Sequence, residues 1–191
     1  MTKKVRPADL FNRYYAGLPE ARQILLQHSR QVTRRALKIA RYLQKTTEVD
    51  LQFVAEAAML HDIGIFETDS PDLGCHGSRP YLQHGIAGRL ILEREGLPRH
   101  ALVCERHIGI GLTATEIAEQ KLPLPARDML PISLEEQIIC YADLYYSKGK
   151  KNRGREKTPA KVRKSLARFG KDKPAIFDRW LQQFEPELKN F

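Results

Sequence analysis

His61 and Asp62 are adjacent metal-capable side chains at the end of the apolar run 53–60, and Ile63-Gly64 follows them. Neighbouring helical residues point about 100° apart, so these two groups can share one ion only where a helix ends. Gly64 supplies the backbone freedom that such a reorientation asks for. A lone His-Asp pair is common in proteins. This one gains weight from His28, His84, His107 and Asp143, each expected in or at the end of a helix. Imidazole and carboxylate ligands suit first-row metals such as iron, manganese, cobalt or zinc, and facing helices of a bundle can assemble such a set.

The elements that must position these groups are helical. Residues 9–16 form a short helix ended by Gly17-Leu18-Pro19, and Pro19 starts a long helix to about residue 45. Its apolar residues Ile24, Leu25, Val32, Leu37, Ile39, Ala40 and Leu43 recur near a 3.6-residue period, and His28 falls on the same stripe. Asp50 can cap the helix that runs to His61. Residues 63–80 hold two prolines and three glycines and read as a loop that lines or covers a site. Further helices are expected over 81–95 and 99–107, with Gly85 and Gly88 marking a close approach of another backbone or a ligand. Thr113 and Ser133 each open a capping-box pattern, and the second begins a helix to about residue 146 that carries Asp143. Thr158-Pro159 starts another helix, and residues 174–188 form the last. No run reads as a strand. The expected fold is all-α.

Composition bounds the function. The chain has 191 residues, 42% of them hydrophobic, enough for one domain with a buried core. No apolar run reaches the length of about 20 residues that a bilayer needs, and the basic start of the chain leads into no signal-peptide core. Cys75, Cys104 and Cys140 are odd in number and form no Cys-x-x-Cys pair, which fits a reducing compartment, here the cytoplasm. Cys104 and Cys140 each precede a candidate ligand by three residues and read as small buried walls of the site. The net charge of +9 is concentrated in residues 148–173, where twelve Lys or Arg face Glu156 and Asp172. The remainder is nearly neutral. The run 148–155 has no apolar residue to anchor it and reads as a mobile, solvated segment, or as an attractor of polyanions.

The ordered series His28, His61-Asp62, His84, His107, Asp143, with Gly64 completing His-Asp-Ile-Gly, resembles the HD superfamily of metal-dependent phosphohydrolases, HDIG subgroup. The resemblance spans roughly residues 27–147. It implies a helical bundle in which His28, His61, Asp62 and Asp143 bind one metal and His84 with His107 a second. Asp62 would bridge the ions, and a water between them would be the nucleophile. It implies a divalent transition metal, two ions, with iron or manganese foremost and zinc, cobalt, nickel or magnesium as alternatives. A mononuclear site follows if His84 or His107 points away. Many relatives also carry a lysine just after the motif to hold phosphate, where this chain has Ile65-Phe66.

Substrate contacts are expected from Arg106, which precedes a ligand, and from Arg79 and His76 in the 63–80 loop, the arginines clamping phosphate. His100 reads as a surface residue and Asp128 as a turn former. The expected organisation is an HD-type domain over 1–147 and, over 148–191, a basic linker with C-terminal helices packed on it. The expected activity is hydrolysis of a phosphate ester or anhydride of a nucleotide-like substrate. The alternative is a nucleic-acid-binding module on an HD-like scaffold that uses the basic 148–173 segment through phosphate contacts.

Overall fold

The structure is a computed structural model that describes residues 5–188. Among the described residues the fold is all-α. The helices are α1 (Pro7–Tyr14), α2 (Pro19–Leu43), α3 (Leu51–Leu60), α4 (His84–Arg94), α5 (Pro98–Arg106), α6 (Ala114–Glu119), α7 (Leu134–Asp143), α8 (Pro159–Leu166) and α9 (Lys173–Phe184). Local chemistry sets most of their starts. Prolines occupy the first turns of α1, α2, α5 and α8, where a missing N–H costs nothing. The Asp50 carboxylate accepts from Phe53 N at 2.9 Å to cap α3, and Thr113 with Glu116 forms a reciprocal capping box on α6. Ser133 caps α7, but only half the expected box forms. The Glu136 carboxylate accepts from Ile132 N instead and pairs with Arg106.

The connection after α3 is more ordered than its composition suggests. A 3-10 turn (Ile63–Glu67) leads into a two-stranded antiparallel hairpin, β1 (Asp69–Ser70) against β2 (Cys75–His76), with Asp69 opposite His76. Two-residue strands are too short to leave an alternating pattern in the sequence.

Helix α2 is the spine. Its first half places Ala21, Ile24 and Leu25 in an apolar cluster with Phe11, Tyr15, Leu60, Ile63, Ile91 and Cys104. Its second half places Val32, Ala36, Ile39 and Ala40 in another with Val54, Ala58, Ile138, Tyr141, Phe177 and Phe184. His28 lies between these stretches, so the seam between the clusters is where the histidine is held.

Helices α8 and α9 share the second cluster, through Val162, Leu166, Phe177, Trp180 and Phe184. The buried Arg35 guanidinium stacks 3.3 Å from the Tyr145 ring centroid and pairs with Glu185 and Glu156. Residues 148–155, read from sequence as an unanchored mobile run, and the two that follow are tied down by polar contacts. Gln31 Nε2 donates to Gly154 O, Tyr146 Oη donates to the Glu156 carboxylate, and Lys157 Nζ donates to Leu144 O. Apolar patterning carries no trace of such anchors.

Gly64 is required for a different reason from the one its position suggests. Its φ is not in the left-handed region. A Cβ there would lie 2.2 Å from Gly88 N and 2.3 Å from His84 O, inside the backbone of α4. Gly85 faces Cys104 O of α5 in the same way, at 2.5 Å. The glycines let three elements meet backbone to backbone. We therefore expect Gly64→Ala to cost about 3 kcal/mol and to lower Tm by about 6–12 °C. An unchanged melting curve would contradict the packing.

Candidate metal centre

Each histidine arrives from a different element. His28 projects from the middle of α2, His61 caps the C-terminal end of α3, His84 begins α4 and His107 caps α5. Asp62 follows His61, and Asp143 is the last residue of α7. The four imidazoles and Asp62 are buried, and Asp143 is 18% exposed. Their polar atoms converge. Asp62 Oδ1 lies 3.4 Å from both His84 Nε2 and His107 Nε2, and its Oδ2 lies 3.2 Å from His28 Nε2 and His61 Nε2. Asp143 Oδ1 lies 2.9 Å from His28 Nε2 and 3.5 Å from His61 Nε2.

The backbone assigns the histidine tautomers. The Nδ1 atoms of His61, His84 and His107 lie 2.8, 2.7 and 2.8 Å from the carbonyls of Ala58, Tyr81 and Cys104, each three residues earlier. A carbonyl can only accept, so each Nδ1 donates and each Nε2 of a neutral ring presents its lone pair inward. His84 Nε2 and His107 Nε2 then face each other as two acceptors 3.2 Å apart. Both Asp62 oxygens and Asp143 Oδ1 are buried without a directed hydrogen bond. Converging lone pairs and buried carboxylates need a cation, and His/Asp is a donor set that intermediate first-row metals accept. Among the described residues, two groups have ligand atoms all within 4.8 Å of one another: His28, His61 and Asp143, and His61, Asp62 and His107. His61 belongs to both.

The charges reinforce one another. Burial opposes ionisation of Asp62 and Asp143, but His61 and Lys148 beside them hold both well below the usual carboxylate range. Burial likewise opposes charge on His61, yet the two carboxylates push it up to about 10. His84 goes the other way, down to about 4, because burial outweighs the attraction of Asp62. The cluster favours positive charge at the His61 side and neutral donors at the His84 side.

The thiols are walls. Cys104 Sγ donates to Leu60 O at 3.3 Å and Cys140 Sγ to Gly109 O at 3.2 Å, and burial pushes both well above the ordinary thiol range. The residues expected to contact substrate do not join the cluster. Arg106 is bound to Glu136, Arg79 to Glu67 and Gln83, and His76 is exposed on β2. His100, read as a surface residue, is mostly buried with its Nε2 3.2 Å from Glu56, and Asp128 accepts from Ala114 N in its loop. Ile65 is buried and Phe66 packs against Tyr14 and Tyr15.

Sequence reading missed Lys148. Its Nζ lies 2.6 Å from Asp62 Oδ2 and 3.2 Å from His28 Nε2, and its side chain is only 12% exposed. The signal was its place five residues after Asp143, obscured by the basic run it begins. Beside it opens a cavity of about 620 Å³ whose walls include Asp69, Asp72, Tyr81 and Tyr146.

The HD domain family matches residues 25–147. The chain belongs to this family, which is metal-dependent. It is 36% identical over 154 residues to an uncharacterised protein of Methanocaldococcus jannaschii, covering 80% of this chain and 81% of that one. It is also similar to two proteins named tRNA (cytidine(56)-2'-O)-methyltransferase. One is from Picrophilus torridus, 34% identical over 64% of this chain and 31% of that protein. The other is from Thermoplasma volcanium, 32% identical over 75% and 36% respectively. The chain thus spans about a third of either methyltransferase. No solved structure matches it significantly. No helix of the described residues is long and apolar enough to cross a membrane.

If the cluster holds a metal through nitrogen and oxygen alone, X-ray absorption of the metal-loaded protein should show one shell at about 2.0–2.2 Å. A sulfur shell at about 2.3 Å would mean that Cys104 or Cys140 is a ligand and that the wall reading is wrong.

Proposed function

We propose that this chain is a metal-dependent phosphohydrolase that cleaves a phosphate ester or anhydride of a nucleotide-like substrate. The observation that carries the reading is the convergence of four imidazoles on the buried Asp62 carboxylate, three of them with Nε2 turned inward because a backbone carbonyl holds Nδ1. In this reading His28, His61, Asp62, His84, His107 and Asp143 hold divalent transition metal, two ions of iron or manganese. Such ions supply Lewis acidity toward phosphoryl oxygen and bring the pKa of water near neutrality. The protein supplies the rest. The Ala58, Tyr81 and Cys104 carbonyls keep the imidazoles oriented, and Asp62 balances charge between the His61 and His84 sides. Water adds to phosphorus, the bond to the leaving oxygen breaks, and the leaving group takes up a proton.

The cavity beside Lys148 supports a nucleotide-like substrate. Tyr81 and Tyr146 line it with aromatic surface, and Asp69 and Asp72 line it with acceptors for amino groups of a base. Three buried unpaired thiols suit a reducing compartment, and we assign the activity to the cytoplasm.

A second reading has support of its own. Two relatives are named for an activity on tRNA, and residues 148–173 are strongly basic, so the chain could instead bind RNA on an HD-like scaffold. The two readings part on metal and salt. Hydrolysis of a nucleotide panel should require added manganese or iron and disappear in Asp62→Asn. RNA binding without hydrolysis, weakening steeply with salt and unaffected by Asp62→Asn, would replace the enzymatic reading.

A further inference from the structure

Lys148 carries a positive charge into the centre without being a metal-type donor. Its ammonium contacts Asp62 Oδ2 and His28 Nε2, both atoms that the proposed function assigns to metal. A metal held by Asp62 Oδ2 would bring a second cation to the oxygen that the ammonium contacts, and two cations that close repel strongly. Metal and ammonium therefore compete for Asp62. The backbone of Lys148 is anchored, since Arg153 Nε donates to Lys148 O at 3.1 Å. The four-carbon stem is flexible and borders the cavity whose walls include Ser70, Tyr81, Tyr146 and Gly149. Lys148 is also the one cationic side chain among the residues lining that cavity.

We propose that Lys148 is the phosphate-holding residue of this site: metal on Asp62 turns its ammonium from the carboxylate to the cavity mouth beside Tyr81, where it binds a non-bridging oxygen of the substrate's phosphate. The proposal rests on the metal-dependent reading above. It makes Lys148 a competitor of the metal and a ligand of the phosphate, and these two roles leave opposite signs in one variant.

The test uses the full chain with manganese and inorganic phosphate as probes. Manganese affinity is read by competition with a chromogenic chelator, and phosphate affinity of the loaded protein by calorimetry. Lys148→Met should bind manganese about tenfold more tightly and phosphate about tenfold more weakly. Lys148→Arg should restore phosphate binding in part and leave manganese affinity near that of the parent. Circular dichroism and the melting curve verify that both variants are folded. Manganese affinity that stays the same or weakens in Lys148→Met, or phosphate affinity that does not fall, overturns the role of Lys148 while the metal-dependent reading stands. A parent protein that takes up no manganese removes both.

Discussion

The structure depends on two carboxylates kept ionised in its interior. A buried Asp is costly unless positive charge or directed donors compensate it, and Asp62 and Asp143 have no directed hydrogen bond at their inward-facing oxygens. Positive charge comes from elements far apart in sequence, His61 at the end of α3 and Lys148 beyond α7. Removing either of these elements would leave a charge stranded. The ionic centre and the helical arrangement are one constraint.

The apolar packing makes room for that centre. The two clusters meet along α2, and the histidine on that helix falls in the gap between them. The glycines at 64, 85 and 88 draw the turn after α3, helix α4 and helix α5 together until their backbones touch. With those contacts closed, the ends of α3 and α5 and the start of α4 present their histidines to a common point. The C-terminal helices complete the second cluster, and Arg35, stacked on Tyr145 and paired with Glu156 and Glu185, joins them to the spine.

Much of this was legible in the sequence, because it rests on residue type and helical period. The stripe on α2, the caps at Asp50, Thr113 and Thr158, and the ordered histidines and aspartates were all readable there. What stayed hidden depends on contacts across the fold. Gly64 looked like a turn residue, but its role is to admit the backbone of α4. Arg106 and Arg79 looked free to bind phosphate, yet each has an intramolecular carboxylate partner that only the folded chain brings near. Lys148 looked like the first residue of a solvated run, and no local pattern tells a lysine that turns inward from one that turns to water.

The central claim is that the cluster around Asp62 is a metal centre. Metal content of the purified chain, prepared without chelator or affinity-column metal and measured by inductively coupled plasma mass spectrometry beside Asp62→Asn, tests it most directly. The account predicts one or two equivalents of a first-row transition metal in the parent chain and a marked loss in the variant. A parent chain that holds no such metal even after reconstitution, or a variant that holds as much as the parent, would contradict it.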